Sequence, residues 1–136
     1  MSSISSIAVS GLNAATRRLE VSASNVANQQ STGALPGPNG TVPAGAQQAY
    51  KPLQVNQTAT PGGGTQTSVT ASSPATVPVS DPQASFANAD GLVAAPNVDL
   101  AQELIGQMVA KYSYTANLAT LKADRDMSKA LLDAKV

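Results

Sequence analysis

The chain has 136 residues, a formal net charge of zero, and neither cysteine nor histidine. Those absences exclude disulfides, Cys/His metal centres and every arrangement in which histidine activates a nucleophile. Zero net charge also excludes the broad basic field of a polyanion binder, so nucleic acid is not an expected partner.

Aromatic residues are confined to Tyr50, Phe86, Tyr112 and Tyr114, and small side chains dominate. Such residues remove little apolar area from water, so a chain folded alone has weak cohesion. Proline divides the sequence: all nine prolines fall between Pro36 and Pro96, and eight of the ten glycines lie within 31–96. Helix is disfavoured there and permitted at both ends. The sequence therefore reads as an N-terminal helix (1–30), a Pro/Gly/Ser/Thr-rich segment (31–96) and a long C-terminal helix (97–136).

In the first segment Ile4, Ala8, Leu12, Ala15, Leu19, Ser22 and Val26 recur at helical intervals, close to a heptad seam with small residues in alternate layers. Ser2, Ser3, Ser5 and Ser6 are candidate N-caps. The helix is predicted to run to about Asn28, roughly 40 Å. Asn25 and Asn28 are i, i+3 neighbours near its C-terminal end, where the last carbonyls lack intrahelical partners. An asparagine amide can donate to such a carbonyl or to a neighbouring subunit, and asparagine tolerates a left-handed cap. No basic residue precedes the apolar part, and Gly11 and Asn13 interrupt it, so a cleaved secretory signal is not expected. No run reaches the ~20 apolar residues of a membrane span. Arg17, Arg18 and Glu20 are either a solvated face or an inter-subunit ion-pair cluster.

In the middle, residues 50–58 and 65–71 alternate enough for the edge strands of a small hairpin. Pro52 keeps the first at an edge, and Gly62, Gly63 and Gly64 form its tip. No lysine follows these glycines, which removes a phosphate loop from consideration. Residues 59–86 otherwise have a composition that need not order.

The C-terminal helix is announced by Pro96, which disfavours helix before it, by Asn97 as a possible cap, and by Asp99 and Glu103 in the first turn. Ala101, Leu104, Ile105, Met108, Tyr112, Ala116, Ala119, Ala123, Met127 and Leu131 form one stripe; Leu100, Val109, Leu118, Leu121 and Leu132 lie off it. A helix apolar on two sides needs more than one neighbour. Tyr112 and Tyr114, two residues apart, point to different faces. The close carboxylates, Asp99 with Glu103 and Asp124 with Asp126, come with no base or pocket-forming run. No catalytic residue, cofactor, metal or small-molecule substrate is nominated, and the chain is not expected to be an enzyme.

The segment SGLNAATRRLEVSASNVANQQSTG (10–33), with Asn25-Val26-Ala27-Asn28 at its helix end and Gly33 closing it, resembles the N-terminal signature of the bacterial flagellar axial proteins. GPNG and YKPLQV (within 37–55) resemble the turn and strand that follow in the basal-body rod proteins, most like the proximal-rod type. NADGLVAAPNVDLAQELIGQMVAKYSYTANLATLKADRDMSKALL (88–132) is similar to the long terminal helix of that type, opened by Pro96-Asn97-Val98-Asp99 and containing Tyr112 to Asn117. Gly91-Leu92 stands where the family commonly has Gly-Tyr, and likeness fades after residue 58.

The resemblance implies a structural subunit that self- and hetero-assembles into a torque-transmitting helical tube in the periplasmic space. It implies passage through the flagellar type III export machinery without a cleaved signal, and neighbours among other rod subunits and export-gate or ring proteins. On this reading Asn25, Asn28 and Gly33 fix the helix end or an interface. Ile4, Leu12, Leu19, Val26, Leu104, Met108, Tyr112, Tyr114, Asn117, Leu118 and Leu121 serve helix-pair and inter-subunit packing. Another axial protein, or a helical adaptor or secreted factor outside the flagellum, is the alternative. The expected fold is mainly α: two long terminal helices paired as a coiled-coil-like hairpin around a small extended or irregular middle.

Overall fold

The structure, a computed structural model, describes residues 3–134. Ser2 and the outer ends of the two terminal segments lie outside the described residues. In chain order the elements are α1 (Ser3–Ala27), β1 (Leu53–Ala59), β2 (Thr65–Ala71), β3 (Thr76–Ser80), β4 (Leu92–Pro96) and α2 (Leu100–Asp133).

This helix–sheet–helix arrangement corrects the mainly α, coiled-coil-like hairpin expected from the sequence. The middle of the chain forms two antiparallel two-stranded sheets, β1–β2 and β3–β4. The first packs directly on α1. The terminal helices are thus not a free-standing pair, because sheet as well as helix covers α1.

β1 and β2 pair from Leu53↔Ala71 to Ala59↔Thr65. Their tip uses Gly62, Gly63 and Gly64, all with φ near +90°, a region where a Cβ is strained. The tip rests on α1: the Thr65 N–H donates to Ser10 Oγ at 3.1 Å, and a Cβ on Gly63 would meet Ile7 Cδ1 at 2.8 Å. At its other end the hairpin meets Asn25. Fifteen helical residues and seven strand residues each span about 22 Å, so helix and hairpin match in length.

β3 pairs β4 from Thr76↔Pro96 to Ser80↔Leu92. Val93 and Ala94 are buried, and the unbroken run LVAAP carries no alternation to betray a strand. β4 also accepts a second partner: Gly33 and Ala94 exchange backbone hydrogen bonds at 2.9 and 2.8 Å.

The helix start predicted across Pro96, Asn97 and Asp99 is divided among three roles. Pro96 ends β4. Asn97 Nδ2 donates to the Pro74 carbonyl at 3.1 Å. Asp99 is the N-cap, its Oδ1 accepting from the Ala101 and Gln102 N–H groups at 2.9 and 3.1 Å.

Candidate functional site

Asn25 is 2% exposed and sits where α1, β1 and α2 meet. Its Nδ2 donates to the Leu53 carbonyl at 2.8 Å and to Glu103 Oε1 at 2.6 Å. Its Oδ1 accepts from the Leu53 N–H at 2.9 Å and from the Tyr50 hydroxyl at 3.0 Å. The carboxamide thereby pairs with Leu53 as a neighbouring strand's peptide group would. Both donors and both lone pairs are used, so burial leaves nothing unsatisfied. Ser24 and Tyr50 share a further bond at 3.0 Å.

Asn28 acts one turn on. Its Nδ2 donates to the Ser24 carbonyl at 2.9 Å, supplying an orphan acceptor of the helix end, and its Oδ1 accepts from Ser31 Oγ at 3.3 Å. Gly33 then threads between two backbones. A Cβ there would overlap residues 47–49, coming within 2.6 Å of the Gln47 carbonyl oxygen, so any larger residue displaces main chain. Asn25, Asn28 and Gly33 thus fix where α1 stops and how the chain leaves it.

The face that α2 turns to α1 is small and polar. Ser22 Oγ donates to the Glu103 carbonyl at 3.2 Å, and Gln107 Nε2 donates to Ser22 Oγ at 3.2 Å. The Asn117 carboxamide lies over Gly11, and Ser5 donates to Asp124. Ala8, Ala15 and Ala110 are buried in the same seam, while Ala14 and Val21 are buried on the side of α1 that faces the hairpin. The contacts run in opposite directions along the two helices. Small side chains allow close approach, and the buried polar ones are matched to partners.

The large apolar residues are elsewhere. At 100° per residue, Ile105, Met108, Tyr112, Ala116, Ala119 and Ala123 lie opposite the seam. Met108 is 54% exposed, Tyr112 72% and Leu131 74%. Leu104, Tyr114 and Leu118 are also exposed, as are Ile4 and Leu19 of α1. Leu12, Val26, Asn117 and Leu121 are half-buried. Of the residues expected to pack, the chain itself covers the small layers and leaves the bulky ones outward.

Sequence reasoning missed Tyr50, Gln107 and the backbone of Leu53, and it read Glu103 only as a helix-dipole charge. Tyr50 offered one signal, as one of two aromatics, with Phe86, in the segment 31–96. The others are long-range partners that no local pattern marks.

Beside Asn25 lies an open hollow of about 350 Å³, walled by Val21, Val55 and Val109, with Gly106 in its floor and Arg18 and Glu103 among its lining residues. Among the described residues no group of His, Cys, Asp or Glu could hold a metal ion, and no helix is long and apolar enough to cross a membrane. What the site offers is a set of hydrogen bonds that ties α1, β1 and α2 together and, on the other side of α2, an apolar surface that the described residues leave uncovered.

Comparison with known proteins points the same way. Residues 6–34 match a family described as flagella basal body rod protein, and residues 89–134 match one described as flagellar basal body rod FlgEFG protein C-terminal. The flagellar basal-body rod protein FlgC of Salmonella typhimurium is 36% identical over 121 residues, covering 89% of this chain and 87% of that protein. FlgC of Escherichia coli O157:H7 gives the same identity and coverage. FlgC of Yersinia enterocolitica is 36% identical over 127 residues.

Proposed function

This chain belongs to the flagellar basal-body rod protein family, of the FlgC type, and on that footing we propose that its exposed α2 face is the surface by which it joins the proximal rod. It is a structural subunit of the basal-body rod, and it assembles with other basal-body components. In the proposed role, copies of the chain and other rod subunits build a helical tube in the periplasmic space that transmits torque. Export-gate or ring proteins adjoin its base, and the flagellar type III machinery delivers the chain. The role is mechanical and calls for no catalysis, cofactor, nucleic acid or small-molecule substrate.

One observation carries the proposal: the outward side of α2 exposes Ile105, Met108 and Tyr112, with Leu104 at its edge. A contiguous apolar surface of this kind marks an interaction site. Met108→Glu with Tyr112→Glu tests it, since neither side chain supports the fold. The doubly substituted chain is expected to fold and melt like the parent, yet to leave cells non-motile and basal bodies without the subunit. Normal motility and normal incorporation would overturn the proposal.

A further inference from the structure

Two features of the molecule complement one another and lie too far apart to meet within one chain. The first is the hollow beside Asn25. Arg18 is half-buried there, also lines the adjoining cleft against Gln57, Thr58 and Thr65, and makes no hydrogen bond or ion pair among the described residues. Its neighbour Arg17 is already paired with Glu20 at 3.1 Å. A guanidinium carries five donors and no acceptor, and partial burial without an anion is unfavourable. Gly106 forms part of the same wall, and a Cβ there would meet nothing within 4 Å. Glycine weakens a helix interior relative to alanine, and none of the described residues uses the space its missing side chain leaves.

The second feature is the far end of α2. Ser5, near the start of α1, bonds Asp124; beyond that point α2 continues to Asp133, about 14 Å further. This end exposes Met127, Leu131 and Leu132. Elsewhere in the chain Glu20 pairs with Arg17, Asp99 caps α2, Glu103 accepts from Asn25 and Asp124 accepts from Ser5, while Asp81 and Asp90 are exposed between β3 and β4, away from any projecting apolar end. Asp126 has Lys122 and Lys129 one turn away on either side. Asp133 lies in the last turn, where the helix dipole opposes an acid, with Lys129 one turn before it.

We propose that the projecting end of α2 from a second copy seats in the hollow, with the Asp133 carboxylate on the Arg18 guanidinium and the adjoining Leu132 over Gly106 against Val21, Val55 and Val109. Arg18 and Asp133 are opposite in charge, Glu103 in the same lining is already engaged by the Asn25 amide at 2.6 Å, and zero net charge puts no net repulsion between copies. Within one chain Arg18 and Asp133 stand at least about 30 Å apart along the helix axes, so the contact is head-to-tail and leaves a free end on each copy. This inference rests on the rod-subunit reading and names the partner for one of its surfaces.

The absence of cysteine permits a direct test in cells whose own copy is deleted. Chains with Arg18→Cys and chains with Asp133→Cys are produced together, and purified basal bodies are treated with a short bis-maleimide cross-linker, because the Cα atoms of an Arg–Asp pair stand farther apart than a disulfide spans. A covalent dimer of the chain is expected only when both are present. Arg18→Glu or Asp133→Arg alone is expected to lower incorporation roughly thirtyfold or more, as expected for one desolvated charge pair, and both in one chain to restore it. Gly106→Leu fills the hollow without touching the fold and is expected to lower incorporation while the purified chain melts no lower than the parent.

No dimer, or a double variant as poor as the singles, overturns the proposal. So does normal incorporation of Gly106→Leu, or a covalent product with a different rod subunit in place of a second copy. Each of these leaves the rod role standing. A parental chain absent from basal bodies would instead remove the rod reading and this contact with it.

Discussion

A single carboxamide joins three parts of the molecule. Asn25 presents both a donor and an acceptor to the main chain of Leu53 while its second amide hydrogen reaches Glu103. Shape is not what matters there, because aspartate has the same outline and none of the donors. Asn25→Ala strands the Leu53 N–H and carbonyl and is expected to cost about 2–4 kcal/mol. Asn25→Asp is expected to cost at least as much near neutral pH, since its carboxylate would face Glu103 and the Leu53 carbonyl. Urea unfolding of the purified chain measures both, and an aspartate variant as stable as the parent would contradict this bonding scheme. The spacing of Asn25 and Asn28 at a helix end was legible in the sequence. Their partners were not, since Leu53 and Glu103 lie 28 and 78 residues away from Asn25.

Helix and strand formation follow from where glycine and proline sit. The two glycines inside the helices look alike in sequence but have opposite surroundings. Over Gly11 the Asn117 carboxamide occupies the place of a Cβ, and its Nδ2 donates to the Ser113 carbonyl at 2.8 Å. Over Gly106 the space is open. Gly106→Ala is therefore expected to stabilise the chain by about 1 kcal/mol. Gly11→Ala is expected to give no such gain and to lose about 1 kcal/mol by displacing Asn117. Combining it with Asn117→Ala should recover the helix-propensity gain, a coupling that a double-mutant cycle in thermal or urea unfolding detects. Equal effects of alanine at the two positions would refute the contrast.

At this scale proline-free ends announced α1 and α2, and alternation around three glycines announced β1 and β2. TVPVS and LVAAP announced nothing, because each contains proline and neither alternates cleanly. That silence is why the fold class was misjudged. A sheet whose pairing partners lie outside any local window was read as irregular chain.

In the whole molecule, apolar bulk and internal packing are separated. The α1–α2 seam is built mainly of small and polar side chains, while Ile105, Met108 and Tyr112 of α2 face away from it. Periodicity found the stripe but could not say which side of α2 meets α1. A greasy face is the ordinary choice for a core, and here small residues with matched hydrogen bonds take that place. The arrangement suits a rod subunit that folds around a polar seam and keeps its apolar surface for neighbours, where association adds stability by mass action.

The most direct measurement of that division is the thiol reactivity of Tyr112→Cys, the sole cysteine in an otherwise cysteine-free chain, compared between the purified free protein and isolated basal bodies. The account predicts rapid labelling of the free chain and strong protection in the assembled rod. Equal labelling in both would contradict the claim that neighbouring subunits cover the outward face of α2.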